Sequence, residues 1–187
     1  MKRLFVPALI ILGLTLNLEA QVSLGEEVPN FTTLDQDSQK WTLKKELKKA
    51  DYLVVYFYPV AFTGGCTAQA CSYRDQKGEL EAVGAQVVGV SGDKPETLEL
   101  FALEHNLNFP LLSDESGAMA EIFGVPHGEG GTIQREIKGK TLDLERGTTI
   151  QRWTFIIDKE GKLIYKDSEV DAANDSGKVM KHLASLQ

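Results

Sequence analysis

Cysteine is scarce in this chain: 187 residues hold two, Cys66 and Cys71. That excludes a disulfide-dense scaffold, in which several bridges stand in for a core. It also excludes a Cys-x-x-Cys pair, because four residues separate the two. Histidine is scarce as well, and His105, His127 and His182 lie far apart, so no Cys/His run has the spacing of a metal site. Positive charge is short, with 20 Lys and Arg against 27 Asp and Glu and a net charge of −7. A surface of that sign does not draw in nucleic acid or an anionic membrane. No internal repeat, low-complexity tract or interdomain linker is visible, and the length suits one domain with a full core.

The first twenty residues stand apart. Lys2 and Arg3 open the chain, Leu4 to Leu16 is an apolar run, and Asn17-Leu18-Glu19-Ala20 ends it. The layout is that of a secretory signal peptide cut after Ala20, and the run is shorter than the roughly 20 residues of a usual membrane span. Residues 1–20 are therefore expected to be removed, leaving one domain over 21–187. An exported protein, placed in a periplasm, with no membrane segment after cleavage is the expectation. Without Lys2, Arg3 and Glu19 the remainder carries 18 basic and 26 acidic residues, a net charge of −8.

Further on, Asn30–Leu34 and Lys40–Leu43 flank a turn cluster at 35–38 and predict a hairpin. Residues 44–50 form a polar connector. Leu53–Tyr58 and Ala85–Val90 are nearly continuous apolar runs, as expected for central strands covered on both faces. A helix is predicted over 66–82, weakened at Gly78, and another from Pro95 to about Asn106. Phe109–Leu112 predicts a short strand. Ser116–Phe123 predicts a short helix with Met119, Ile122 and Phe123 inward, stopped at Gly124. Pro126–Gly131 suggests a flexible loop, followed by a small hairpin of 133–137 and 141–144 about Gly139. Trp153–Ile157 and Lys162–Tyr165 predict a second hairpin. Val179, Met180, Leu183 and Leu186 form the stripe of a last helix. Strands alternating with helices, then a hairpin and a helix, predict a three-layer α/β sandwich with a mixed sheet.

The chain centres on residues 52–75. A buried strand runs into Pro59, a short loop delivers Cys66, and a helix carries Cys71. Backbone N–H groups at a helix start, with the helix dipole behind them, favour a thiolate, which is the nucleophilic form of cysteine. On an ideal helix, residues five apart have Cα atoms about 8.7 Å apart, whereas a disulfide needs less than about 7 Å. Cys66 and Cys71 on one intact helix therefore cannot bond. A disulfide between them requires local unwinding, which suits a bond that forms and breaks better than a structural bridge.

Pro59-Val-Ala-Phe-Thr63-Gly-Gly-Cys66 resembles the Pro-x-x-x-Thr-x-x-Cys signature of peroxiredoxins. Cys66-Thr-Ala-Gln-Ala-Cys71 is similar to their Q-type subgroup, also called bacterioferritin comigratory protein. Gly25–Phe31 and Gln151–Asp158 resemble the same family, so the likeness covers most of residues 21–187. It implies a thioredoxin-like fold with an N-terminal hairpin, and a peroxidase acting on hydrogen peroxide and organic hydroperoxides. By this resemblance Cys66 is the peroxidatic nucleophile and Cys71 resolves its sulfenic acid into an intramolecular disulfide. Thr63 bonds the thiolate or the peroxide, Arg152 holds the thiolate and polarises the O–O bond, and Pro59 shields the site. A thioredoxin-like protein is the implied reductant, no metal or organic cofactor is needed, and a monomer is expected.

The residue types fit that chemistry. Charge develops on the leaving oxygen, and fixed donors such as a guanidinium stabilise it. A sulfenic acid condenses with a nearby thiol before it is oxidised further. Taken alone, Thr63 could cap the helix and Pro59 could merely end the strand. Without the resemblance, Arg135 and Arg146 rival Arg152, while Arg74 and Asp75 suit a structural pair. Two positions depart from the common subgroup pattern: Gly64 stands where proline is frequent, loosening the loop, and Gln69 stands where glutamate is frequent, removing a charge near the site. Residues 126–149 are longer than the resemblance requires and suggest a lid or a partner surface. The alternatives are an exported thiol–disulfide oxidoreductase and a copper carrier on the same fold, with His127 as its third ligand.

Overall fold

The computed structural model describes residues 21–187. The predicted leader, 1–20, lies outside the described residues. In chain order the strands are β1 (Thr32–Asp35), β2 (Lys40–Thr42), β3 (Tyr52–Phe57), β4 (Ala85–Ser91), β5 (Leu111–Ser113), β6 (His127–Ile137), β7 (Lys140–Ile150), β8 (Thr154–Asp158) and β9 (Leu163–Asp167). The helices are α1 (Leu43–Glu46), α2 (Gly64–Asp75), α3 (Lys77–Ala82), α4 (Pro95–His105), α5 (Ala118–Phe123) and α6 (Asp175–Ala184).

Seven strands form one mixed sheet in the order β2-β1-β5-β4-β3-β8-β9. β3 runs parallel to β4 and antiparallel to β8. β3 has no polar face because both of its faces are covered. Val54, Tyr56 and Tyr58 pack with Ala70 and Tyr73 of α2, Leu98 and Phe101 of α4, and Val179 and Leu183 of α6. Leu53, Val55 and Phe57 pack on the other side with Leu43 of α1 and with Met119, Ala120 and Phe123 of α5. The three layers, the mixed sheet and the N-terminal hairpin agree with the sequence reading.

Leu186, expected in the stripe of the last helix, lies beyond α6 and is exposed, and two elements differ more. The helix expected over 66–82 breaks at Gln76 rather than at Gly78, and Gln76 leaves helical geometry (φ −94°, ψ 6°) as it joins α2 to α3. The region expected to be a loop and a small hairpin is one long ribbon, in which β6 and β7 pair from His127↔Ile150 to Ile137↔Lys140. Its tip is a two-residue turn with both Lys138 and Gly139 at positive φ, the geometry that matches strand twist. Glycines at its base concealed the strand in the sequence, and some of them allow close approach: a Cβ on Gly130 would lie 2.0 Å from the Arg146 carbonyl oxygen. A Cβ on Gly147 would lie 2.3 Å from the Glu115 carbonyl oxygen, and one on Gly92, facing the ribbon, 2.1 Å from that of Thr148.

Among the described residues, no helix is long and apolar enough to cross a membrane.

Candidate active site

β3 ends at Phe57, and Tyr58 still donates its N–H to Val90 (2.9 Å), so the chain leaves the sheet beside β4. Pro59 and Val60 are half-buried at this exit. The loop to α2 is fixed from below by Asp93, whose carboxylate accepts from the Ala61 N–H and the Ser91 hydroxyl, each at 2.8 Å. Asp93 is buried, and desolvation raises its pKa against the pull of these bonds. Phe62 takes a left-handed conformation (φ 60°), unusual for an aromatic residue. Its ring packs on Phe101 and His105, and its carbonyl accepts from Arg135 Nε of the ribbon at 3.1 Å.

Thr63 is the N-cap of α2, yet its side chain caps nothing: the hydroxyl donates back to the Val60 carbonyl at 2.9 Å. That leaves its oxygen free to accept. Cys66 is the third residue of α2 and 2% exposed. The first in-helix bond runs from Thr67 N–H to Thr63, so the N–H groups of Gly64, Gly65 and Cys66 precede the helical ladder. Arg152, just before β8, reaches across from the neighbouring strand. Its Nη2 donates to Cys66 Sγ at 3.2 Å, and its Nη1 donates to Gln69 Oε1. Of the three arginines that competed on sequence, Arg152 is the one on the sulfur. Arg135 holds the Phe62 carbonyl, and Arg146 donates to the Thr149 hydroxyl.

Cys71 is half-buried, five residues along the same unbroken helix, and both cysteines are free thiols. Arg74 pairs with Asp75 (2.8 Å) and donates to the His105 carbonyl (2.6 Å), the structural pairing its sequence suggested. Its pKa is raised, chiefly by Asp75 and to a lesser extent by Cys71.

Four residues that sequence reasoning undervalued complete the site. Gln69 is fully buried, and its Nε2 donates to Asp175 Oδ2 at 2.7 Å. The same oxygen accepts from the Tyr73 hydroxyl at 2.7 Å and the Thr154 hydroxyl at 2.8 Å. Burial raises the Asp175 pKa while these three donors lower it. Burial, and then Asp175, push the Tyr73 phenol well above its ordinary value, so it remains a protonated donor. Position 69 brings no charge of its own to the site, but its amide touches the arginine on one side and a carboxylate on the other. Cys66, Gln69, Ala70 and Tyr73 recur at helical spacing, a signal that could have marked them as one buried face. Asp175 gave no such signal, because an aspartate opening a helix ordinarily reads as a favourable end charge.

His127 lies against the Val125 carbonyl (3.2 Å) and Glu121 (4.0 Å). Among the described residues, no group of three or more His, Cys, Asp or Glu is placed to hold a metal ion.

The model of the AhpC/TSA family matches residues 24–166, and the chain belongs to this family of peroxiredoxins. It is 40% identical over 159 residues to peroxiredoxin Bcp of Escherichia coli K12, covering 85% of this chain and 94% of that protein. It is also 40% identical over 150 residues to the chloroplastic peroxiredoxin Q of Populus jackii, covering 79% of this chain and 62% of that one. Among solved structures, peroxidoxin BcpB of Mycobacterium tuberculosis superposes with a TM-score of 0.73 at 31% identity, covering 89% of this chain and 99% of that one. Within the family these likenesses put the chain in the Q-type, or bacterioferritin comigratory protein, subgroup, and it is a thiol-dependent peroxidase on a thioredoxin-like fold.

Proposed function

We propose that Cys66 is the peroxidatic nucleophile and Cys71 the resolving thiol, with Arg152, Thr63 and the first N–H groups of α2 forming the donor and acceptor set around the peroxide. The observation that carries this reading is the Arg152 Nη2 contact to Cys66 Sγ at 3.2 Å in the first turn of α2. The Cys66 thiolate attacks one peroxide oxygen, and the O–O electron pair leaves with the other. That oxygen takes a proton and departs as water or an alcohol, leaving Cys66 as a sulfenic acid. Arg152 and the free N–H groups stabilise the charge that develops. The Thr63 oxygen, its proton already given to Val60, accepts from the peroxide O–H. Pro59 narrows access beside the loop.

The Cys71 thiol then attacks the sulfenic sulfur, the S–S bond forms and water leaves. Both residues sit on α2, which as an intact helix holds their Cα atoms about 8.7 Å apart, beyond disulfide reach. The helix therefore opens at this step. A thioredoxin-like dithiol protein returns two electrons by exchange and is itself oxidised to a disulfide.

Export to a periplasm and a monomeric state belong to the same proposal. The Lys2-Arg3 start and the Leu4–Leu16 apolar run support export. A mature N-terminus at Gln21 in an osmotic-shock fraction would bear it out, and an intact Met1 would remove it. Sedimentation of the reduced protein decides the oligomeric state.

The catalytic roles are tested by thiol loss in reduced protein 21–187 after one equivalent of hydrogen peroxide, beside Cys66→Ser, Cys71→Ser and free cysteine. Loss orders of magnitude faster than free cysteine, ending in a 66–71 disulfide and abolished only by Cys66→Ser, is expected. A rate equal to that of free cysteine overturns the assignment.

A further inference from the structure

Asp175 is a buried carboxylate that the reaction described above does not use. It opens α6, is 1% exposed, and gathers three donors from two other elements on one oxygen: Gln69 and Tyr73 of α2 and Thr154 of β8. Its second oxygen, Oδ1, is buried without a partner. Ser72 of α2 and Ser176 of α6 are hydrogen-bonded beside it.

This arrangement dictates how Gln69 lies. An ionised carboxylate only accepts hydrogen bonds, so the Gln69 amide must turn its NH2 toward Asp175. Its carbonyl oxygen then faces the other way, where Arg152 Nη1 donates to it. Arg152 is held at two points, by Gln69 through Nη1 and by Cys66 Sγ through Nη2. A chain of polar groups therefore runs from Asp175 through Gln69 and Arg152 to the sulfur, in a buried setting where such bonds strengthen one another.

The same chain crosses the segment that must open. Gln69 lies between Cys66 and Cys71, and Tyr73 two residues beyond. Unwinding α2 across 66–71 pulls Gln69 from both Arg152 and Asp175. It leaves the carboxylate short of a donor in a buried site, which is unfavourable.

We propose that Asp175 is a positioning residue that aligns Arg152 on Cys66 through Gln69 and, by the same bonds, holds α2 closed, so that it speeds peroxide attack and slows disulfide closure. The proposal rests on the assignment of Cys66 and Arg152 made above. Its signature is a pair of effects of opposite sign together with non-additivity of the Asp175 and Gln69 changes; a general loss of stability gives additive effects at the two positions.

The test is rapid mixing of the reduced protein with hydrogen peroxide, resolving Cys66 oxidation from disulfide closure. It compares wild type, Asp175→Ala, Asp175→Asn, Gln69→Leu and the Asp175→Ala/Gln69→Leu double variant. Asp175→Ala and Gln69→Leu are each expected to slow Cys66 oxidation by about tenfold, the size of one lost hydrogen bond to a charged group. The double variant is expected to be no slower than either single one, because the two residues act as a unit. Asp175→Ala is expected to speed closure severalfold. Asp175→Asn keeps an acceptor but loses the charge, and is expected to fall between wild type and Asp175→Ala on both rates. If Asp175→Ala does not fold, Asp175→Asn takes its place in the cycle with Gln69→Leu. Additive slowing, unchanged oxidation in Asp175→Ala or its replacement, or oxidation and closure falling together overturns the proposal. A fast wild type with an unaffected variant removes this inference alone. A wild type no faster than free cysteine removes the assignment of Cys66 and the inference with it.

Discussion

α2 and the β6–β7 ribbon both border the loop from Pro59 to Gly64, yet they are held there in different ways. The inner face of α2 is buried, and its side chains bond to Arg152, just before β8, and to Asp175 of α6, both more than eighty residues away in sequence. The ribbon is mostly paired with itself. Its base is held by the Gly147 N–H to Gly92 bond at 2.9 Å, by the Thr148 hydroxyl donating to the Asp114 carbonyl at 3.0 Å and by a Lys94–Glu145 ion pair at the surface, and one side chain, Arg135, reaches the loop. Chemistry is placed where polar side chains are buried and satisfied, because there a donor stays where it is aimed. The ribbon is an accessory wall. It steadies the loop's backbone at Phe62 and supplies nothing to the sulfur.

The comparison can be broken most severely at Arg152. Arg152→Ala is expected to lower the rate of Cys66 oxidation by roughly 10²–10³, the range for removing a donor aimed at developing charge. A loss under tenfold in stopped-flow thiol assays would put the main electrostatic contribution elsewhere.

A second contrast concerns motion. Amide exchange across 66–75 is expected to be slow in the reduced protein and fast once the 66–71 disulfide forms, while exchange within the ribbon's paired strands stays the same in both. Equal protection of α2 in the two states would show that the cysteines meet without unwinding.

On the ribbon side, Arg135→Ala removes one bond to the Phe62 carbonyl and is expected to raise KM for peroxide about threefold to fivefold with kcat little changed, in line with the loss of a single hydrogen bond. A fall in kcat as large as that of Arg152→Ala would make the ribbon part of the chemistry.

The smallest expected effect lies at Gly64. This residue opens α2, a Cβ there would meet open space, and Thr63 before it is already extended (φ −101°, ψ 149°), as a following proline demands. Gly64→Pro is therefore expected to stabilise the reduced protein by about 0.4–1 kcal/mol, read from denaturant unfolding. Destabilisation would mean that the loop needs the freedom glycine gives it.

The same contrast explains what the sequence disclosed. β3, the cysteine helix and the alternation of strands and helices are local features, written in apolar runs and in the 66–69–70–73 stripe. Arg152 was legible only through the family resemblance, since nothing within its own segment says that β8 lies beside β3. Asp175 was not legible, because its role arises from three residues converging from distant parts of the chain. The ribbon was read too short for the opposite reason. Gly128, Gly130 and Gly131 lower strand propensity, and only the packing of its base shows why glycine is needed nearby at Gly147.

The antiparallel pairing of β3 with β8 also sets an order in time. Cys66 is made 86 residues before Arg152, and Gln69 is made 106 residues before Asp175. The helix forms from local contacts, so it precedes both its arginine and its carboxylate, which must be brought in across the intervening chain. Closing loops of that length is a late and slow event in folding. On the assignment proposed above, the chain becomes a peroxidase only when its last third has docked.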